Sequence, residues 1–442
     1  MISLKKDLYR YTRLSLHILA CTLILGGCSS LQVEPPPQPP IHSPTPSPAP
    51  LALALAAPKT IANPQIQQYL SRLDTLGVPL ASQGVWIQTQ DTLLANHQGA
   101  IPLPAASLTK VATSLAVLQK LGPDHRFVTT IGYSGVINKG ILQGDLVIEG
   151  GADSFFVWED AIALGNLLQQ HGIRQVQGNL IVVGAFYMNY ERDPSTAATL
   201  FQQGINHTLW PAAAQTQYQT LPPNTLQPQV KILGSIQVAP PLPRPLTPLL
   251  RHRSLPVAEL LKKMNQYSNN AMAEMLADQV GGSQKVAQIA AQAAGVPENE
   301  IQLVNGSGLS VDNRISPRAT CAMFQAIARL LHPQKMTIAD IFAVTGTDPG
   351  ILNERSLPQR TVVKSGTLDG VSALAGALPT QKQGVIWFAL INGEGDVDQF
   401  RTQQETLLQT LLQTWGNPAQ PTALLAPSPS RQKLTATSDL MP

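Results

Sequence analysis

The stretch "PLPAASLTKVATSLAVLQKLGPD", residues 102–124, carries both a structural and a chemical signal. Leucine and valine recur in it at three- and four-residue steps, which is typical of a helix with one apolar face. Gly122 followed by Pro123 predicts where that helix ends. Ser107 opens the helix, and Lys110 follows one turn later on the same side. A hydroxyl and an ammonium at the start of an apolar helix therefore need an explanation.

The pattern S-x-x-K has two interpretations. A serine hydroxyl is a weak nucleophile, and a neutral lysine three residues later on a helix can serve as its base. A free lysine has a pKa of about 10.4, so burial or a second nearby cation would have to lower it. In the alternative interpretation, Ser107 caps the helix and Lys110 is a solvated first-turn residue. These residues alone favour the alternative, since the same spacing occurs by chance near both chain ends, at Ser3 and Ser430.

Two later motifs change this balance. The stretch "YSNNAMAEML" places Ser268 and Asn270 at a second helix start, in the pattern S-x-N. The stretch "VVKSGTLDG" places Lys364 before a serine and a glycine, in the pattern K-S-G within a predicted strand. Taken alone, Ser268 would be a helix cap and Lys364 an edge-strand lysine that discourages aggregation. The order S-x-x-K, S-x-N, K-[ST]-G marks serine enzymes that react with penicillin, so the three motifs together predict a serine acyl-transfer site.

The K-S-G strand suits a substrate with a free carboxylate. Gly366 has no side chain, so a substrate peptide could lie against the strand as an added edge. Lys364 supplies a cation and Ser365 a hydroxyl donor, and both suit a terminal carboxylate. The charge of Lys364 would also favour the neutral form of Lys110.

These motifs and their surroundings resemble the class C low-molecular-mass penicillin-binding proteins, the D-alanyl-D-alanine carboxypeptidase/endopeptidase family. The resemblance covers most of the chain from about 64 to 415 and is most specific over residues 105–151, 267–274, 305–318 and 362–378. It implies an α+β fold, with a penicillin-binding, serine β-lactamase-like domain and an inserted β-rich domain. The penicillin-binding domain would combine an antiparallel sheet flanked by helices with a helical subdomain. The order of predicted elements agrees, because it suggests one sheet built from both chain ends.

The resemblance implies a role for each residue of the first two motifs. Ser107 would form an acyl-enzyme with the penultimate D-Ala carbonyl, and Lys110 would accept its proton. Ser268 would relay the proton to the leaving D-Ala nitrogen. Asn270 would form a hydrogen bond with the substrate amide.

The third motif is implied to bind the substrate. Lys364 and Ser365 would hold the terminal carboxylate, and Gly366 would lie in the substrate-binding strand. The backbone N–H groups of Ser107 and Thr367 would form the oxyanion hole. The implied substrates are peptidoglycan peptides ending in D-Ala-D-Ala, cleaved by a carboxypeptidase that β-lactams inhibit. Endopeptidase activity is left open.

The sequence departs from the family pattern in three places. "GADSFF" stands where the family has G-D-P-T-L, and S-N-N stands where S-D-N is usual. The spacing between Lys110 and Ser268 is shorter than in the commoner members, so part of the inserted region is reduced. The three motifs themselves are complete.

Composition divides the chain into segments. Residues 1–28 combine basic residues with a short apolar stretch ending in "LGGC", which resembles a bacterial lipobox and predicts lipidation of Cys28. Ordinary signal cleavage is the alternative. Residues 29–62 are a Pro-rich linker, and residues 417–442 are expected to be a disordered tail. Between them we expect a discontinuous penicillin-binding domain, 63–126 and 246–416, around an inserted domain, 127–245.

Composition also excludes several classes of partner. The chain has 442 residues, a formal net charge of +3 and no basic run, so we expect no nucleic acid partner. Cys321 lies in a helical apolar pattern that predicts plain core. None of the 8 histidines has the spacing of a metal site, so we expect no metal and no cofactor. The signal segment predicts an exported, periplasmic protein that a lipid anchors to a membrane.

Two other functions stay open at this point. A β-lactamase or esterase would share the fold, although a β-lactamase needs a dedicated base for rapid attack of water on the acyl-enzyme. A catalytically silent protein that binds the cell wall is the second alternative, and the completeness of all three motifs counts against it.

Overall fold

The computed structural model describes residues 63–240, 246–431 and 433–441. The predicted signal segment 1–28 with the lipidation site Cys28, and the predicted linker 29–62, lie outside the described residues. Within the described ranges, no helix is both long and apolar enough to cross a membrane.

The described residues form mixed helices and strands. The helices are α1 Pro64–Thr75, α2 Thr109–Leu121, α3 Trp158–Gln170, α4 Pro194–Gly204, α5 Ala212–Tyr218, α6 Val257–Gln266, α7 Asn270–Gln279, α8 Ser283–Ala294, α9 Pro317–Leu331 and α10 Val397–Trp415. The strands are β1 Gln83–Gln88, β2 Leu93–His97, β3 Leu103–Pro104, β4 Val128–Tyr133, β5 Val136–Asn138, β6 Ile141–Gln143, β7 Leu146–Gly151, β8 Gln175–Val176, β9 Leu180–Ala185, β10 Lys231–Ile232, β11 Ile236–Ala239, β12 Thr247–Arg253, β13 Ile301–Gln302, β14 Arg314–Ile315, β15 Ala343–Val344, β16 Val362–Leu368, β17 Val371–Thr380, β18 Gly384–Asn392 and β19 Thr437–Leu440.

A central sheet joins the two ends of the folded chain. Its strand order is β15-β16-β17-β18-β1-β2, and β1 pairs antiparallel with β18, with Val85 opposite Leu390. The meander β16-β17-β18 comes late in the sequence, whereas β1 and β2 come early. This arrangement confirms the predicted α+β class with a sheet built from both chain ends.

The two faces of the central sheet pack against different helices. Along β17, the small residues Ala373, Ala375 and Ala377 join the core that contains α2 and α9. The alternate residues Leu374 and Leu378 join the core formed with α1 and α10. Side chains alternate across a strand, so small residues on one face let α2 and α9 approach the sheet closely. The K-S-G strand β16 lies beside this strand.

Helix α2 runs through the middle of the helical subdomain. All of its residues from Thr109 to Leu118 are buried, and α6, α7, α8 and α9 pack around it. The sequence predicted one apolar face, but the helix has no solvent-facing side over these residues. Lys110 is therefore carried into the core by the helix on which it sits.

The inserted region has a core of its own. Its larger sheet has the order β11-β9-β7-β4-β12-β19, and a smaller sheet has the order β10-β8-β6-β5. Helices α3 and α4 contribute to a core rich in aromatic residues, including Phe156, Phe186 and Phe201. The predicted β-rich insert therefore contains two sheets that helices cover.

The boundary of the insert differs from the predicted one at residue 245. Strand β12, which we placed in the penicillin-binding domain, pairs antiparallel with β4 in the larger sheet of the insert. Leu249 and Leu250 of this strand are buried in the core of the insert. The insert therefore extends to Arg253, because β12 has apolar residues that only this sheet covers.

The segment predicted to be a disordered tail is ordered where the structure describes it. Strand β19 pairs with β12 as the edge of the insert's larger sheet. Asp439 of β19 forms ion pairs with Arg251 and Arg253, and Arg431 contacts Glu259 through two hydrogen bonds of 2.7 Å. The prediction was wrong because it judged the tail by composition, whereas charge pairing with distant residues holds it in place.

Candidate active site

Ser107 lies in a tight turn and does not cap a helix. It is the middle residue of the 3₁₀ turn Ala106–Leu108, which leads into α2. The residue before α2 is Leu108, and no side chain caps this helix end. The Oγ atom of Ser107 instead lies 3.0 Å from Nζ of Lys110. The interpretation of Ser107 as a helix cap is therefore wrong.

Lys110 is fully buried, and its Nζ atom contacts three oxygen atoms. Oδ1 of Asn270 lies at 2.7 Å and the carbonyl oxygen of Ser307 at 2.6 Å, and both can only accept hydrogen bonds. A neutral amine has two N–H groups and one lone pair. In the neutral form the two N–H groups go to these two acceptors and the lone pair faces the hydroxyl of Ser107 at 3.0 Å, whereas an ammonium would donate to all three oxygens. The contacts of Lys110 thus accommodate both protonation states, and the neutral one can accept the proton of Ser107.

Burial also lowers the pKa of Lys110, to about 7. The carboxylate of Glu274 acts in the opposite direction and keeps the pKa from falling further. An amine with a pKa near neutrality can accept a proton at physiological pH and return it later. The residue therefore has the acidity that a general base requires.

The second motif reaches the same site from another helix. Ser268 has a φ of +52°, in the left-handed region that non-glycine residues rarely adopt. This conformation separates Ser268 from helix α7, whose cap is Asn269. The alternative in which Ser268 is the cap is therefore wrong. Asn270, the first residue of α7, is the one that contacts Lys110.

Lys364 links the second and third motifs. Its side chain is 1% exposed, and its Nζ atom lies 3.0 Å from Oγ of Ser268 and 2.6 Å from the carbonyl oxygen of Ser365. Burial, together with the charge of Lys110, lowers the pKa of Lys364 well below its usual value. We expected Lys364 to suppress the charge of Lys110. Repulsion between two cations is mutual, so that influence stays a prediction, and burial is the main cause that lowers the pKa of Lys110.

Gly366 allows two parts of the protein to approach closely. A Cβ atom at this position would lie 2.8 Å from the backbone nitrogen of Ser107 and 3.0 Å from the carbonyl oxygen of Ala105. The sequence interpretation assigned the missing side chain to substrate contact. The structure gives a further reason, because the missing side chain lets β16 approach the turn that carries Ser107. The substrate contact stays a prediction.

One edge of β16 is open beyond its first two residues. Strand β15 pairs only with Val362 and Val363. In the part of the chain that the structure describes, no other strand covers that edge from Lys364 to Leu368. Ser365 is buried and Thr367 is exposed. An extended peptide could add to the sheet here, next to Ser107.

Glu274 and the loop it holds were not identified from the sequence as part of the site. Its carboxylate accepts hydrogen bonds from the backbone N–H groups of Gly306 and Ser307, both at 2.9 Å. These contacts fix the loop whose carbonyl group at Ser307 receives Lys110. The available signal was spacing, because Glu274 follows Asn270 by four residues and shares its helix face.

The three motifs therefore converge on one site, although they come from distant parts of the chain. Ser107 contacts Lys110, Lys110 contacts Asn270, and Ser268 contacts Lys364. Two buried amines, two hydroxyls and an open strand edge suit acyl transfer from a peptide with an anionic end. Among the described residues, no group of three or more His, Cys, Asp or Glu side chains is placed to bind a metal ion. Cys28 lies outside these residues.

Comparison with known proteins agrees with this geometry. Residues 63–198 and 208–413 match the D-Ala-D-Ala carboxypeptidase 3 (S13) family. The D-alanyl-D-alanine carboxypeptidase DacB of Haemophilus influenzae is 22% identical over 423 residues, which cover 72% of this chain and 87% of the relative.

Solved structures show the same fold. Penicillin binding protein 4 (dacB) from Haemophilus influenzae has a TM-score of 0.61 at 18% identity, covering 79% of this chain and 99% of that chain. The penicillin G acylated predatory endopeptidase Bd3459 from Bdellovibrio bacteriovorus has a TM-score of 0.63 at 20% identity, covering 80% of this chain and 99% of that chain. The predicted fold class, a penicillin-binding domain with an insert, is confirmed.

Proposed function

The chain belongs to the D-Ala-D-Ala carboxypeptidase 3 (S13) family and is a serine-type D-Ala-D-Ala carboxypeptidase, and from this premise we propose which of its residues carry the reaction. The proposal rests above all on the contacts of Lys110. In the neutral form of the amine, both N–H groups donate to Asn270 and Ser307, and the lone pair faces the hydroxyl of Ser107.

Acylation begins at Ser107. Its Oγ atom attacks the carbonyl carbon of the penultimate D-Ala while its proton passes to Nζ of Lys110. The developing oxyanion is stabilised by the backbone N–H groups of Ser107 and Thr367. Each such donor is typically worth about 10²–10³ in rate. The close packing of Gly366 on the Ser107 turn supports this pairing, because Thr367 directly follows Gly366 in β16.

Ser268 returns the proton to the leaving group. The C–N bond breaks as the terminal D-Ala nitrogen gains a proton from the hydroxyl of Ser268, which recovers one from Lys110. The amide oxygen of Asn270 is committed to Lys110, which leaves its Nδ2 to donate to the substrate amide. The product is an acyl-enzyme on Ser107 and free D-Ala.

Water completes the reaction. Lys110, neutral again, takes a proton from a water molecule that attacks the ester carbonyl. The ester bond breaks, Ser107 Oγ regains a proton, and the shortened peptide leaves. Lys110 therefore acts as the base in both halves of the reaction.

Lys364 and Ser365 hold the terminal carboxylate of the substrate. The charge of Lys364 is disfavoured in the free protein because the residue is buried and close to Lys110. A substrate carboxylate supplies the missing negative charge and favours the ammonium form. Lys364 thus recognises an anion that is present only when substrate is bound.

The roles of Ser107 and Lys110 can be tested by mass spectrometry of the purified protein. Incubation with a pentapeptide ending in D-Ala-D-Ala should give free D-Ala and the tetrapeptide. Incubation with penicillin G should give a stable adduct on the tryptic peptide that contains Ser107. The variant S107A should form neither product while keeping its thermal unfolding midpoint. Release of D-Ala by S107A would refute the assignment.

The proposal also includes the cellular location of the protein and the boundaries of its inserted domain. As a cell-wall enzyme the protein acts outside the cytoplasm, and the "LGGC" sequence supports a lipid on Cys28. We place the insert between residues 127 and 253. A C28S variant should leave the membrane fraction and appear in the soluble fraction. Retention of C28S in membranes would exclude this anchor.

A further inference from the structure

Helix α10 places an arginine beside the substrate-binding strand. Nη2 of Arg401 donates to Oγ1 of Thr367 at 3.1 Å, and Nη1 donates to Asp398 at 3.1 Å. Thr367 directly follows the K-S-G motif. By strand alternation Ser365 and Thr367 face α10, whereas Gly366 faces the turn of Ser107. Arg401 therefore approaches the open edge from the side opposite to α2.

The guanidinium of Arg401 retains donors that the protein does not satisfy. It has five N–H groups, and the two contacts above occupy two of them. Its Nε is buried with no hydrogen-bond partner among the described residues. The carboxylate of Asp398 is 87% exposed, so it neutralises the charge only weakly.

A second arginine near Arg401 is not available in the same way. Arg355 is bound to the side chains of Glu405 and Gln404, and it is largely buried. Its charge is therefore compensated within the protein. Arg401 is the member of this pair that can present positive charge to the strand.

We propose that Arg401 is a specificity-determining residue that recognises the free carboxylate of the terminal D-Ala. The inference rests on the proposed function, because it assumes that the substrate lies along β16. A guanidinium pairs with a carboxylate through two parallel N–H···O bonds, and Thr367 holds it at the correct place along the strand. Arg401 and Lys364 then contact the same anion from opposite faces of the sheet.

Recognition of a charge at this point separates two kinds of peptide. A peptide ending in D-Ala-D-Ala with a free carboxylate gains the charge-assisted contact, whereas the same peptide with a terminal carboxamide does not. Hydrogen bonds to charged groups are stronger than neutral ones, so Arg401 should contribute roughly 10-fold or more to the preference for the acid.

The test compares D-Ala release from the free-acid peptide with release of D-alaninamide from the carboxamide peptide. The variants are R401Q, R401K and D398N, each with its thermal unfolding midpoint. R401Q should reduce the ratio of the two kcat/KM values about 10-fold, mainly by raising KM for the acid. R401K keeps the positive charge but lacks the two parallel N–H donors of a guanidinium. Its ratio should lie between those of R401Q and the unmodified chain. D398N is the matched control and should keep the ratio within about twofold.

The outcomes separate this inference from the proposed function. If the unmodified chain releases D-Ala and R401Q keeps the same acid-to-amide ratio, Arg401 does not recognise the carboxylate. If D398N lowers the ratio as much as R401Q, the effect belongs to the start of α10 and the inference is also overturned. If the unmodified chain cleaves neither peptide and forms no penicillin adduct, the proposed function fails instead.

Discussion

Lys110 and Asn270 are joined by a hydrogen bond of 2.7 Å in which the amine donates to the amide oxygen. The two residues are far apart in sequence but share the centre of the site. When Lys110 is neutral, this contact and that to the carbonyl of Ser307 direct its lone pair at Ser107. The orientation of one amine therefore connects the fold to the chemistry.

The first prediction concerns the identity of the base. K110R keeps a positive charge, but arginine is not deprotonated in proteins, so it cannot accept the proton of Ser107. We expect both K110R and K110A to lose about 10²–10⁴-fold in kcat for D-Ala release. The measurement is a D-Ala release assay, with circular dichroism to confirm folding. Activity within tenfold of the unmodified chain in folded K110R would show that another group is the base.

The second prediction is a pH dependence. The pKa of Lys110 is about 7 because of burial, so the amine is protonated below pH 7 and neutral above it. Only the neutral form accepts a proton, so kcat/KM should fall about tenfold per pH unit below pH 7 and level off above it. A pH–rate profile between pH 5 and pH 9 is the measurement. Activity that is flat down to pH 5 would contradict a lysine base.

The third prediction concerns the two charges that face Lys110. Glu274 raises the pKa of Lys110. Repulsion between Lys110 and Lys364 disfavours the state in which both lysines are charged. E274Q removes the negative charge and keeps one acceptor for the loop at Gly306 and Ser307. The acidic limb of the pH–rate profile of E274Q should therefore move to lower pH. The control E274A loses the loop contacts as well and should lower kcat in addition. A limb of E274Q that moves to higher pH would refute this account.

The fourth prediction concerns close packing at the nucleophile. G366A places a methyl group 2.8 Å from the backbone nitrogen of Ser107. Overpacking of this kind costs about 1–3 kcal/mol, and displacement of an oxyanion donor should lower acylation up to about 10²-fold. The control is G393A, whose added Cβ atom would lie 3.4 Å from the carbonyl oxygen of Ser82, an ordinary contact distance. Rates of penicillin labelling measure the effect, and equal rates for both variants would be inconsistent with it.

The fifth prediction concerns the C-terminal strand. Truncation after residue 426 removes β19 and the contacts of Arg431 with Glu259 and Asp124. The edge of β12 is then exposed, so the thermal unfolding midpoint should fall. Each kcal/mol lost corresponds to about 2–4 °C for a domain of 150–250 residues. R431Q should cause a smaller decrease of the same sign. An unchanged midpoint after truncation would show that the strand contributes nothing to stability.

The parts of the site that were predictable are local in sequence. Ser107 and Lys110 share one helix start, and Lys364 to Gly366 are consecutive, so short patterns identify them. Their meeting was implied by resemblance, since no pattern within one segment places Ser268 next to Lys364.

The features that were missed depend on contacts between distant residues. Strand β12 pairs with β4 on one side and with β19 on the other, and β19 pairs with β12 at the edge of the sheet. Neither segment is clearly predicted as a strand from its own residues. In the sequence, Arg401 is one of several polar residues of a predicted helix, and only the fold places it against Thr367. Composition likewise hid the ordered tail, because its stability comes from pairing with Arg251 and Arg253.

In the proposed mechanism, Lys110 is a neutral amine directed at Ser107. The most direct test of this claim is nuclear magnetic resonance titration of protein labelled with carbon-13 at the lysine side chains, with the signal of Lys110 assigned by its loss in K110R. We expect a midpoint for this signal near the pKa of about 7 that burial imposes. A midpoint near the unperturbed value of about 10.4 would contradict it.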